Sequence, residues 1–207
     1  MTDTKKTGVR GPGRTTRTDW LTAAMDTLVS EGVDQVKVLT LAQKLDCPRS
    51  SFYWYFKNRS ELLDALLETW AATNTKAIIA ASRQPAQTIN FAVAKLYSAW
   101  VVGNEFDMQL DFAVRDWARR SGTVRRALDL NDAQRIEALT EMFLRHGFDE
   151  QEADVRARII YFTQIGYDAL DQRESWDIRR TRAAMYLYCM TGQTPTEAET
   201  EATIDMP

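Results

Sequence analysis

The chain has 207 residues, 44% hydrophobic and 27% charged, with a net charge of −3. That balance suits an ordinary soluble protein with room for one domain, or two small ones, around a real core. No apolar run approaches the roughly 18 residues of a membrane span, and the basic N-terminus lacks the apolar stretch of a secretory signal. Two cysteines, Cys47 and Cys189, are too few for a disulfide framework, so a reducing cytoplasm is the expected compartment.

An overall negative charge argues against a nucleic-acid binder until the chain is divided. Residues 1–60 hold ten Lys and Arg against six Asp and Glu, a charge of +4, whereas residues 61–207 carry −7. The positive charge therefore lies on one N-terminal segment, the distribution of a protein that aims one end at phosphates.

In chain order, residues 1–17 are rich in Thr, Gly and basic side chains and show no apolar periodicity. They read as a disordered basic arm, in which Lys5, Lys6, Arg10, Arg14 and Arg17 are placed to track a phosphate backbone or a minor groove. Thr18 is the expected cap of a helix over residues 19–31, with Leu21, Ala24, Met25, Leu28 and Val29 as its apolar stripe and Gly32 as its stop. Thr40 is expected to cap a second helix carrying Leu41, Ala42 and Leu45. Pro48 stops that helix, because it cannot donate to the ladder and drives Cys47 out of the α region. A third, short helix over residues 49–55 turns Phe52 and Phe56 inward and leaves Arg49, Ser50, Tyr53 and Trp54 outward. Two short helices about a tight turn, with hydroxyls, aromatics and an Arg outside, make a helix-turn-helix whose second member enters a DNA major groove.

The stretch FYWYFKNRSELL, residues 52–63, resembles the recognition-helix signature of the tetracycline-repressor (TetR) family of transcriptional regulators. Phe52 stands where that family usually has Leu, Tyr55 where it has His, and Arg59 where it has Lys. The resemblance is specific over residues 18–67 and looser after. It implies an all-α fold: a three-helix DNA-binding head, residues 18–60, and a helical ligand-binding and dimerisation body, residues 61–192. The DNA-contacting residues are then Arg49, Ser50, Tyr53, Trp54 and Tyr55, with Thr40, Lys57 and Arg59 on phosphates.

The body reads as six helices. A long one over residues 60–82 starts in the head, capped by Asn58 or Ser60. Others follow over residues 86–102, 105–120, 123–146, 150–172 and 177–191, bounded by Gly103, Gly122, Gly147 and Gly192. Residues 193–207 are acidic and polar and are expected to be a loose tail. The last two long helices offer Ile159, Ala184 and Tyr188 for a two-fold dimer interface, which is how the family uses these helices. An excess of aromatics beside polar groups marks a ligand pocket, with Trp70, Asn74, Trp100, Phe112, Asp116, Trp117, Tyr161, Gln164 and Tyr167 as candidate lining and Asp111 and Asp168 nearby. Acids beside aromatic rings favour an aromatic or cationic effector.

Catalysis finds no support. The single histidine, His146, ends a helix with no nucleophile motif, one histidine and two cysteines make no soft-metal set, and no phosphate-binding Gly-rich loop occurs. No cofactor is expected. The reading is a homodimeric, ligand-responsive repressor on a palindromic operator. Two rivals stay open: a helical small-molecule-binding protein or enzyme with a vestigial head, and an activator that takes no ligand.

Overall fold

The computed structural model describes residues 15–98, 100, 106–170, 172 and 174–204; the side chains of Trp176 and Ile204 are excepted. Among them every regular element is helical. The expected basic arm, apart from residues 15–17, and the helix break at Gly103 lie outside the described residues. The chain divides into two compact units, residues 1–66 and 67–207.

In the first unit, α1 (Arg17–Glu31) begins two residues earlier than expected. Thr16 is its cap, in a reciprocal capping box: its hydroxyl accepts from the Asp19 amide at 3.2 Å while the Asp19 carboxylate accepts from the Thr16 amide at 2.8 Å. Thr18 is exposed on the first turn. Helix α2 (Val38–Lys44) likewise starts earlier than expected, with Lys37 at the cap position and no capping side chain, so Thr40 lies inside it. The segment after Pro48 is a 3-10 helix, Arg49–Trp54, rather than an α-helix. Asn58 accepts from the Glu61 amide at 3.0 Å and opens α3 (Arg59–Trp70). Trp20, Leu28, Val36, Leu41, Phe52, Phe56 and Leu62 are buried, with the Trp20 and Phe52 rings edge to face at 5.2 Å.

Helix α3 continues through a π-helical turn, Ala71–Thr75, into α4 (Lys76–Ser82), so the expected long helix exists with a bulge in its middle. Thr73 turns its hydroxyl back onto the carbonyls of Thr69 and Trp70, at 3.0 and 3.3 Å, which competes with the regular ladder. The wider turn buries Asn74 and Thr75 together.

The second unit continues with α5 (Ile89–Tyr97), α6 (Met108–Ala118), α7 (Gly122–Arg145), α8 (Glu150–Ala169), α9 (Trp176–Thr191) and α10 (Glu197–Ile204). Side chains of Thr88, Asp107, Ser121, Asp149 and Ser175 cap the first five. Gly192 ends α9 at φ +70°, and a side chain there would strike the guanidinium of Arg156, which donates to the Met190 carbonyl at 3.1 Å. The apolar core joins Ile78, Val93, Leu96, Leu139, Phe143, Ile160 and Leu187 from α4, α5, α7, α8 and α9.

The tail expectation is corrected. Residues 197–204 form α10, and Glu199 is buried at 3% exposure. Its carboxylate accepts from the Thr88 hydroxyl, the Asn90 amide at 3.4 Å and the Thr196 amide at 2.7 Å. Acidity looks like a solvated tail in sequence; here one acid finds four donors, the Thr196 hydroxyl at 3.0 Å among them, and docks the segment.

Candidate functional site

On the first unit, the turn at Asp46, in a left-handed conformation at φ 47°, reverses the chain between α2 and the 3-10 helix. Ser51 and Phe52 fall inward, and the Ser51 hydroxyl donates to the Pro48 carbonyl at 2.8 Å, bracing the turn. Arg49, Ser50, Tyr53 and Trp54 face solvent as expected, Trp54 at 73% exposure. The Arg49 guanidinium donates to the Tyr53 hydroxyl at 3.1 Å, so the two present one edge of donors and a ring. Lys57 is exposed and Thr40 half-buried beside exposed Leu39. An open groove of about 500 Å³ flanks Arg49, lined by Leu39, Ala42, Gln43, Asp46, Cys47 and Pro48. Such a surface offers a bidentate donor for a base edge, hydroxyls for phosphates and an aromatic for a thymine methyl.

Two expected contacts turn inward instead. Arg59 donates to the carbonyls of Val36 and Val33, at 2.5 and 2.6 Å, and so ties the start of α3 to the segment between α1 and α2. The Val33 carbonyl already accepts the Val36 amide at 3.2 Å across a 3-10 turn (Val33–Gln35), and the guanidinium fork adds a second donor there while taking the Val36 carbonyl that follows the turn, so it is held inward rather than left for phosphate. Tyr55 is half-buried, and its hydroxyl donates to the Thr15 carbonyl at 2.5 Å, anchoring the chain just before α1.

The second unit gathers part of the expected pocket set around buried ions. Trp70 donates its indole N–H to Asp111 at 2.8 Å, and Asp111 also takes Arg115 and Arg135 at 2.9 Å each. Arg115 forks onto Asp132 with two contacts of 2.9 Å, and the Tyr161 hydroxyl donates to Asp132 at 2.7 Å. Asn74 donates to the Asp107 carbonyl at 2.7 Å; Thr75 accepts from Arg135 at 3.0 Å and donates to Asn131 at 2.8 Å. Burial works to raise the Asp111 carboxyl, but the charges of Arg135 and Arg115 outweigh it, and the group is held below the ordinary carboxylate range. Burial pushes the Tyr161 hydroxyl up, so it serves as a donor.

Other expected lining residues lie elsewhere. Asp116 is exposed and pairs with Arg120 at 3.2 Å, so it partners no indole. Gln164 donates its amide to Asp168 at 2.9 Å. Tyr167 donates to Glu174 at 2.6 Å and stands edge to face with Tyr186 at 6.3 Å. Burial raises Asp168 to about 6, and Tyr97 is pushed up by burial and by Tyr186, Asp168 and Tyr167. Trp117 is buried and Phe112 half-buried. Trp100 packs on Phe106 at 5.6 Å and on Tyr161 at 5.9 Å. Beside it Ala77, Ile78, Ala81 and Leu96 bound about 150 Å³ of interstitial space, none of it wide enough for a water molecule. Arg135 escaped the sequence reading, although Leu128, Asp132, Arg135, Leu139 and Met142 fall on one face of α7 at helical spacing, which is a legible sign of an inward Arg. No group of three or more His, Cys, Asp or Glu among the described residues could hold a metal ion.

Comparison with known proteins bears on the first unit most directly. The family model for bacterial regulatory proteins of the tetR family matches residues 21–66. The matched segment lies wholly within the first unit. Over 52 residues the chain is 42% identical to the tetracycline repressor protein class A from transposon 1721 of Escherichia coli; that match covers 25% of this chain and 24% of the relative, so the chain spans about a quarter of the curated relative's length. Across both units the fold resembles E. coli NemR in its reduced form, with a TM-score of 0.61 at 16% identity over 87% of this chain and 99% of that one. It also resembles Mycobacterium smegmatis AmtR, with a TM-score of 0.56 at 16% identity over 94% and 95% of the two chains. The multidrug binding protein EbrR, solved with imidazole, gives 0.54 at 19% identity over 90% and 99%. At these identities the likeness is one of fold.

Proposed function

We propose that the protein is a ligand-responsive transcriptional repressor of the TetR type, working in the cytoplasm as a homodimer on a palindromic operator. The observation that carries the reading is the outward face of the 3-10 helix, where Arg49, Ser50, Tyr53 and Trp54 stand exposed on a braced turn in the segment that matches the family. The concentration of positive charge in residues 1–60 supports it. A second copy is expected against α8 and α9, whose exposed residues include Val155, Ile159, Phe162, Met185 and Tyr188, with Ala184 between them. An isologous contact would pair these faces and set two recognition elements about 34 Å apart. Ile160 and Leu187, from the same two helices, are core instead.

An effector in the second unit would act only through unequal affinity for the DNA-competent and incompetent states. Trp70 and the π turn lie where α3 leaves the head, and the Asp111 network holds both, so a ligand that shifts the network has a handle on that helix. The test is recovery and sequencing of genomic fragments retained by the purified protein. One palindromic motif, bound with steep salt dependence, is the expected result; uniform retention of all sequences would remove the repressor reading.

A further inference from the structure

Among the described residues of the second unit, the Trp100 indole N–H, in a side chain 2% exposed, and Nη2 of Arg135, in a side chain fully buried, are buried donors without a partner. The other nitrogens of Arg135 are satisfied by Thr75, Asp111 and Tyr161. A buried N–H without an acceptor forfeits free energy that nothing in the packing returns. The two orphans are neighbours. Trp100 packs on the rings of Phe106 and Tyr161, while the Arg135 guanidinium lies 5.7 Å from the Phe106 centroid and 3.2 Å from the Tyr161 hydroxyl. Two donors flanking the same pair of rings call for an acceptor, and not for the cation that acids near aromatics suggest. We infer that the effector is a neutral, apolar molecule carrying a carbonyl oxygen, which Trp100 and Arg135 bind.

Neutrality follows from the charges around the site. Arg115 and Arg135 are already matched by Asp111 and Asp132, so a carboxylate ligand would arrive as an uncompensated buried anion. Asp168 lies within electrostatic reach of Asp111 and Arg115 and adds to that cost. Beside Trp100 and Phe106 lie Ala77, Ile78, Ala81 and Leu96, aliphatic side chains that part around an apolar group without stranding a polar one. The interstitial space is too narrow as it stands, so binding has to be accompanied by repacking of these four. The acceptor oxygen supplies the specificity, and the apolar body supplies the burial.

The inference rests on the proposal that this unit takes an effector, and the test separates the two. Four single-ring probes of matched size are titrated into the full chain: acetophenone, ethylbenzene, benzoate and benzylamine. Affinity is read by calorimetry and the tryptophan indole N–H signals by NMR, with the Trp100 signal identified by its loss in Trp100→Phe. Acetophenone should bind about tenfold tighter than ethylbenzene, the worth of one or two buried hydrogen bonds, and should move the Trp100 signal downfield. Trp100→Phe keeps a ring and loses the donor, so it should bind the two more nearly alike. Equal affinity for ethylbenzene, or tighter binding of benzylamine or benzoate, overturns the carbonyl assignment while leaving an effector site in place. Failure of all four to bind removes both. A Trp100 signal already at a hydrogen-bonded shift without probe, and unmoved by acetophenone, means a buried water only and overturns the inference. Retention of genomic DNA in the same preparations reports on the head independently.

Discussion

The head and the body solve opposite problems with the same residue types. In the head, the interior is a set of aromatic and aliphatic plugs around Trp20, Phe52 and Phe56, and the donors of Arg49 and Tyr53 are left in water for a partner to use. In the body, Arg115 and Arg135 are largely withdrawn from water and matched to Asp111 and Asp132, with Trp70 and Tyr161 donating to the same two carboxylates. Exposed charge is cheap to display and weak in effect. Buried charge depends on every partner being present, which makes it sensitive to any change in the set. A recognition surface wants the first property, and a unit that must respond to a ligand gains from the second.

The sharpest way to break this contrast is Asp111→Ala. It leaves two guanidinium groups facing each other without their shared acceptor, and the expected loss is about 3–5 kcal/mol by urea denaturation. The double change Asp111→Leu with Arg135→Met should recover most of that. Wild-type stability in Asp111→Ala would show that the network is solvated after all. On the head, Arg59→Ala removes two charge-assisted bonds to carbonyls and should cost about 1.5–3 kcal/mol in thermal unfolding, where a phosphate contact would have left stability untouched. Arg49→Ala should leave stability unchanged and relax preference at one position of each half-site by about 1–3 kcal/mol, read by competition binding. Ile159→Glu places a charge against its two-fold mate and should give monomers in sedimentation; a dimer at micromolar concentration would move the interface elsewhere.

The smallest effect concerns Asp168. Burial raises its folded pKa from 3.8 to about 6, so the folded state binds the extra proton over that interval. Its contribution is therefore most favourable below pH 3.8 and is lost as pH rises through about 6. Asp168→Asn should remove that slope from the difference between wild-type and variant stability across this window. A variant whose stability parallels wild type throughout would mean that Asp168 is hydrated in both states.

Helix order and the inward or outward sense of Arg49, Ser50, Phe52, Tyr53, Trp54 and Phe56 were legible because apolar spacing and Pro48 fix them locally, whereas the inward turn of Tyr55 depends on the distant Thr15 carbonyl. The Arg59 fork was not, since its acceptors, the carbonyls of Val33 and Val36, lie more than twenty residues away and exist only once the preceding turn forms. The same holds for Asp116 and Asp111 on α6. Both sit near tryptophans in sequence, and only the packing of α7 decides that Asp111 meets Trp70 while Asp116 meets water. The C-terminal helix was missed for a related reason: Glu199 reads as one more surface acid until Thr88 and Asn90, over a hundred positions earlier, supply its donors.

The bond from Asp111 to Arg135 also constrains how this sequence can drift. Loss of either member alone leaves the other short of a charged partner in a dry interior, so a lineage that abandons the pair has to cross a less stable intermediate or change both positions nearly together. Each of the exposed positions at 49, 50, 53 and 54 can be exchanged singly without penalty to folding. Descendants of this chain should therefore retarget their DNA sites one residue at a time, while the charges at 111 and 135 are inherited or discarded as a set.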